Sequence, residues 1–221
     1  MVMAEATNHY FKHLGVSDGL SQVCIPSIYQ DELGAVWLGT TEGLNRYNGK
    51  DVKVFQPSES NHGLTNNEIN ELCGDKNGRM YIRSGNDLIK LDIYTEQFTC
   101  LRQKGVYGLF CKKDTLWVSC ADGIYYYTGQ GTELTFFARV QKGFVGRALY
   151  VDRETVWVVT RKYLVAISRE DPLRQEILLT LDKGNCILGD SSGNIWVGAW
   201  NGLYRVSPDR ETTAYVSHSG M

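Results

Sequence analysis

Three aspartates recur in one local setting and are the first candidates for chemistry. Asp31, Asp75 and Asp190 each stand three residues before a glycine, Gly34, Gly78 and Gly193. Paired carboxylates could act as acid and base, as they do in glycoside hydrolysis. Their recurrence at one position argues instead for turn closure, because Asp closes a turn through its own side chain and Gly supplies the positive φ that follows. His9 and His13 are four apart, a spacing that suits a metal on a helix, but the segment reads as a strand. No metal or cofactor is expected there. Neither a P-loop nor an H-E-x-x-H motif is present. The six cysteines form no C-x-x-C pair, which argues against zinc and thioredoxin-type chemistry. Cys111 and Cys120 fall on adjacent strands but not opposite one another, so they miss the Cα separation of about 7 Å that a disulfide needs. Mostly free thiols are expected.

The remaining candidates sit in short variable stretches: Glu42, Asn86, Asp122, Arg161 with Lys162, and Trp200 with Asn201. An aromatic face beside an amide suits a sugar ring and its hydroxyls. Arg161 and Lys162 suit an acidic sugar. The plainer readings are a blade-edge packing role for Trp200 and a solvated turn for the two cations.

The elements that position these residues follow from an internal repeat. The stretch from Ser27 to Tyr47 recurs most clearly from Cys186 to Val206, with weaker copies around residues 75–91, 114–125 and 154–167. Its marker aromatics are Trp37, Tyr81, Trp117, Trp157 and Trp196, in steps of 44, 36, 40 and 39. A strand-rich period near 40 is the signature of propeller blades. Each copy parses into four short strands: one ending at the Asp turn, one around the marker, one after a second Gly turn (Gly43, Gly123, Gly202), and a looser one carrying an aromatic. The predicted fold is therefore all-β, about five four-stranded blades. They span residues 20–60, 61–103, 104–141, 142–182 and 183–221, behind a lead-in over 1–19 that resembles the outer strand of another blade. Residues 8–14 and 212–218 both read as such outer strands, one more than a closed five-blade ring needs, so the chain reads as a fragment of a larger propeller, either an open arc that self-associates or a strained closure. The marker Trp side chains are expected to be buried between blades. In a blade the second and fourth connections share one face, and the variable stretches above lie in those second turns, where recognition is expected.

Composition narrows the classes further. There are 23 Lys+Arg against 25 Asp+Glu, without the basic excess that phosphate backbones demand, so no nucleic-acid partner is expected. With 43% hydrophobic and 22% charged residues, the chain has the balance of a folded domain. No apolar run reaches the ~20 residues of a membrane-spanning helix. Nor does Met1–Thr7 open an export signal.

The pattern Asp-x-x-Gly-x-x-Trp-x-Gly-Thr-x-x-Gly-Leu-x-x-Tyr, met at every one of those positions from Asp31 to Tyr47, resembles the two-component-regulator propeller repeat. Asp190 to Val206 departs from it at Ala199 and Val206. The lead-ins Gly19-Leu20-Ser21 and Gly63-Leu64-Thr65 are similar to that family's as well. The resemblance implies a segment of a seven-bladed propeller in the periplasmic region of a hybrid two-component sensor histidine kinase, of the kind typical of gut Bacteroidetes. It implies an oligosaccharide ligand derived from polysaccharides, receptor dimerisation, and a membrane helix outside this chain. It implies no catalysis within the segment itself. A scaffold for protein interaction without a ligand of its own, or a carbohydrate-active propeller enzyme, are the alternatives.

Overall fold

A computed structural model describes residues 13–57 and 63–215. The proposed start of the lead-in strand, His9, His62, His218 and the segment 219–221 lie outside the described residues. Among the described residues, twenty strands form five separate four-stranded antiparallel sheets, each pairing its strands in chain order. Blade 1 is β1 (Ser27–Gln30), β2 (Val36–Thr40), β3 (Gly43–Tyr47) and β4 (Val52–Phe55). Blade 2 is β5 (Ile69–Gly74), β6 (Arg79–Ser84), β7 (Asp87–Asp92) and β8 (Gln97–Arg102). Blade 3 is β9 (Val106–Lys112), β10 (Thr115–Cys120), β11 (Gly123–Tyr127) and β12 (Thr135–Ala138). Blade 4 is β13 (Gly146–Val151), β14 (Thr155–Thr160), β15 (Tyr163–Ser168) and β16 (Gln175–Thr180). Blade 5 is β17 (Cys186–Gly189), β18 (Ile195–Ala199), β19 (Gly202–Val206) and β20 (Thr212–Tyr215). Helix among the described residues is confined to two three-residue 3-10 turns, Val16–Asp18 and Gln141–Gly143.

Alternation at period two explains the assembly, because blades 2, 3 and 4 bury both faces against neighbours and blades 1 and 5 one face each. Four apolar clusters fill the seams between consecutive blades. Trp37, Leu44 and Phe55 meet Ile69, Ile82 and Ile89 at the first seam. Tyr81 and Leu88 meet Leu109 and Val118 at the second. Trp117 and Ile124 meet Leu149 and Val158 at the third, and Trp157 and Leu164 meet Val197 and Tyr204 at the fourth. None of these clusters of described residues joins blade 5 to blade 1. The outer face of blade 1 accordingly exposes Ile28 and Val54, and that of blade 5 exposes Leu188, Leu203 and Tyr215.

This corrects one expectation. Trp37, Trp117 and Trp157 are buried, but Trp196 is only half-buried. Its side chain lies on the outer face of blade 5, in the cross-strand row Leu188, Trp196, Arg205, Thr213. Tyr215 of its own blade stacks near it, at 5.9 Å between ring centroids.

The seams share a second device on the first strands. The residue paired with the marker aromatic reaches toward the next blade, to a position one step further along that blade's first strand. Tyr29, paired with Trp37, covers Gly74, where a Cβ would fall 2.2 Å from the Tyr29 hydroxyl oxygen. Tyr150, paired with Trp157, covers Gly189 in the same manner, leaving a Cβ there 2.1 Å from its ring. At the second seam the two positions are both cysteine, Cys73 and Cys111.

Candidate functional site

The recurrent aspartates are committed to structure. In blade 1 the Asp31 carboxylate accepts from the backbone N–H groups of Leu33 and Ala35, and from the indole N–H of Trp37 at 2.8 Å. Gly34 completes the turn at φ +85°, a conformation side chains with a Cβ rarely adopt. Asp190 repeats the arrangement, accepting from the Ser192 and Asn194 N–H groups and from the Trp196 indole at 2.9 Å. In blade 2, where Tyr81 replaces Trp, Arg79 takes the free oxygen of Asp75. Blade 4 has the same anchor, with Asp152 accepting from the Trp157 indole at 2.6 Å. Sequence reasoning missed Asp152 because the shorter turn places it five residues before its Trp instead of six. The sequence also spells G-x-S-x-G at Gly15–Gly19 and at Gly189–Gly193. The first is a 3-10 turn and the second a hairpin turn, neither being the strand-to-helix elbow that exposes a nucleophile.

Hydrogen bonds from Trp196, and then from the Asn194 side chain, hold the Asp190 carboxyl down at about 2. A depressed carboxylate pKa contributes stability above the unfolded-state value, and that contribution is lost as pH falls toward the folded value. Denaturant unfolding followed by Trp fluorescence should therefore show stability falling between about pH 4 and about pH 2. The fall should be smaller in Asp190→Asn.

The opposite face is chemically richer. The starts of the first strands of all five blades surround a central cavity of about 640 Å³, lined by Asn70, Glu71, Arg83, Asn86, Tyr107 and Arg147 among others. Burial pushes the Glu71 carboxyl up to about 6, against the pull of Arg83 and of the Leu109 N–H that it accepts. Beside this cavity Tyr107, Phe144, Arg147, Arg161 and Lys162 line a depression of about 330 Å³. A third, of about 210 Å³, lies among Arg147, Arg161, Lys183, Asn185 and Trp200. Arg147 lines all three.

The sequence candidates divide on this map. Arg161, Lys162, Trp200 and Asn86 fall along the connected depressions. Trp200 is 76% exposed, and the Lys183 ammonium sits 3.8 Å from its ring centroid. Asn201 is spent locally, its side-chain oxygen accepting from the Asp182 N–H at 3.2 Å. Asp122 lies apart. Burial works to raise its pKa, but the Tyr125 hydroxyl and Arg102 outweigh it and hold the carboxyl low. Glu42 lines none of these depressions and caps a turn through its backbone, bonded to Thr40 and Gln56. Sequence reading missed Arg147, Tyr107 and Lys183. Arg147 and Tyr107 sit at the starts of first strands and Lys183 in a fourth-to-first connection, regions without a motif. A depression of about 670 Å³ elsewhere is lined by Arg153, Arg169, Arg174 and Arg210, but also by Glu154, Glu170 and Glu176, so its charges offset one another.

Residues 19–42, the lead-in and first hairpin of blade 1, match the family described as two component regulator propeller. Blade 1 carries a two-component-regulator propeller repeat. The chain is 40% identical over 53 residues to histidine kinase P4 of Formosa agariphila, a match covering 24% of this chain and 4% of that protein. The extracellular domain of a B. thetaiotaomicron protein assigned to a hybrid two-component system superposes with a TM-score of 0.80 at 22% identity, over 93% of this chain and 32% of that one. That of a B. thetaiotaomicron protein assigned to a one-component system does so at 0.78 and 20%, over 94% and 33%. Streptogramin B lyase shares the fold at a TM-score of 0.69 and 16% identity, over 91% of this chain and 71% of that one. The chain thus spans about a third of the length of these two extracellular domains. Among the described residues no helix is long and apolar enough to cross a membrane.

Proposed function

We propose that this chain is a ligand-reading segment in the periplasmic region of a hybrid two-component sensor histidine kinase, and that its ligand is a polysaccharide-derived oligosaccharide bearing negative charge. The observation that carries this reading is the gathering of Arg147, Arg161, Lys162 and Lys183 beside the exposed Trp200 on one face. Guanidinium groups bind carboxylates and sulfates through paired hydrogen bonds, and an exposed indole offers a platform for a sugar ring. In this reading the segment performs no catalysis, the receptor works as a dimer, and a membrane helix elsewhere in the parent protein anchors it.

The test compares an oligogalacturonide with an uncharged oligosaccharide of equal length, by reporter output of the complete receptor and by calorimetric titration of its extracytoplasmic region. Arg161→Ala and Trp200→Ala should each weaken the acidic ligand by about tenfold while leaving the thermal midpoint unchanged. Equal loss of midpoint would make these residues structural and the face wrong. Binding should also tighten as pH falls through about 6, because protonation of Glu71 removes a negative charge from the central cavity. The exposed apolar faces of blades 1 and 5 favour a second reading, a self-associating scaffold. Concentration-dependent sedimentation with no saccharide response would select it.

A further inference from the structure

We propose that Cys73 and Cys111 are an oxidisable pair that closes into a disulfide stitching blade 2 to blade 3. Their sulfurs lie 2.8 Å apart, inside non-bonded contact, and less than about 1 Å of approach separates them from a covalent bond. The pair occupies a defined slot. At the first and fourth seams a tyrosine covers a glycine, Tyr29 over Gly74 and Tyr150 over Gly189. At the second seam the covering residue is Cys73 and the covered one Cys111, so two short side chains meet where a large one meets none. The remaining cysteines have no such setting. Cys100 stands opposite Ile89 and Cys120 opposite Val106 within their own sheets, and Cys24 and Cys186 are exposed.

The reaction is thiol–disulfide exchange with a small disulfide such as oxidised glutathione. The thiolate of one cysteine attacks the glutathione disulfide and expels one glutathione thiolate, giving a mixed disulfide. The second cysteine loses its proton to solvent and attacks the protein sulfur, expelling the other glutathione. Two protein thiols are oxidised and one glutathione disulfide is reduced to two thiols. Burial, with the contact to Cys111, pushes the Cys73 thiol well up, so closure quickens as pH rises.

The folded chain should be incubated with oxidised glutathione, then denatured for thiol titration and peptide mapping. Titratable thiols should fall from six to four, with the bond mapped between 73 and 111. Tm should rise by about 5 °C and return when dithiothreitol is added. Cys73→Ser should yield no intramolecular bond under the same treatment, and Cys100→Ser should still form it. Six remaining thiols, or a bond between any other two cysteines, would overturn the proposal. Mapping on the unmodified chain decides this even where a serine variant folds poorly.

Discussion

Replacing Trp37 with alanine should destabilise the chain by about 3–5 kcal/mol, the range for deleting a large buried aromatic side chain. Trp37 has no exposed surface, stacks on Phe55 at 5.7 Å, and has Arg46 over its ring at 5.4 Å. It belongs to the cluster that seals blade 1 to blade 2, so the cavity would open at a seam and not within one sheet. Trp196→Ala is the matched control. It removes the same side chain from the same repeat position, but from a half-buried site with no blade against it. Its cost should be less than half as great. Urea unfolding curves of both variants measure the difference. Equal costs would mean that the marker Trp works within its own sheet and not through the seam.

Asp31→Ala should cost about 2–5 kcal/mol, because it strands several donors at once and each unsatisfied buried donor costs about 1–3 kcal/mol. Asp31 is 4% exposed, and its carboxylate serves the Ala35 N–H, the Leu33 N–H and the Trp37 indole. Water cannot readily reach the indole, since Trp37 is fully buried. Trp37→Phe, which deletes the indole donor, should offset part of the loss. The double variant should therefore be less destabilised than the two singles predict, with a coupling of about 1–3 kcal/mol. Strict additivity would show that the carboxylate acts on the turn alone.

The fold was legible because every blade repeats one solution to one problem. Period-two alternation, a glycine at many of the turns and a marker aromatic near every fortieth residue left only stacked four-stranded sheets consistent with the chain. Blades 3 and 4, read from periodicity alone, form sheets like the rest despite their shortened first turns. What the repeat hid was the reason for its own motif. That Asp31 both closes a turn and holds Trp37 is a matter of three-dimensional reach, and Asp152 escaped notice because its shorter turn shifts the spacing to Trp157 by one residue. The candidate face was legible only at Asn86, Arg161, Lys162 and Trp200. Arg147 became visible only when five first strands converged on one cavity. A residue that differs from blade to blade leaves no periodic trace. Burial of Trp196 was expected because the repeat treats all five copies alike, whereas packing depends on having a neighbour.

The seams set how this chain comes apart. Blades 2, 3 and 4 are held on two sides, while blades 1 and 5 each have one seam. Stability in such a stack is nearly a sum of nearest-neighbour terms, so opening should begin at either terminal sheet and travel inward. Amide hydrogen exchange would then rank protection by position along the stack, with β10 outlasting β2 and β18 although all three carry the marker Trp. A bond between Cys73 and Cys111 would place a stop in that path, letting blade 1 peel away while blades 2 and 3 leave only together.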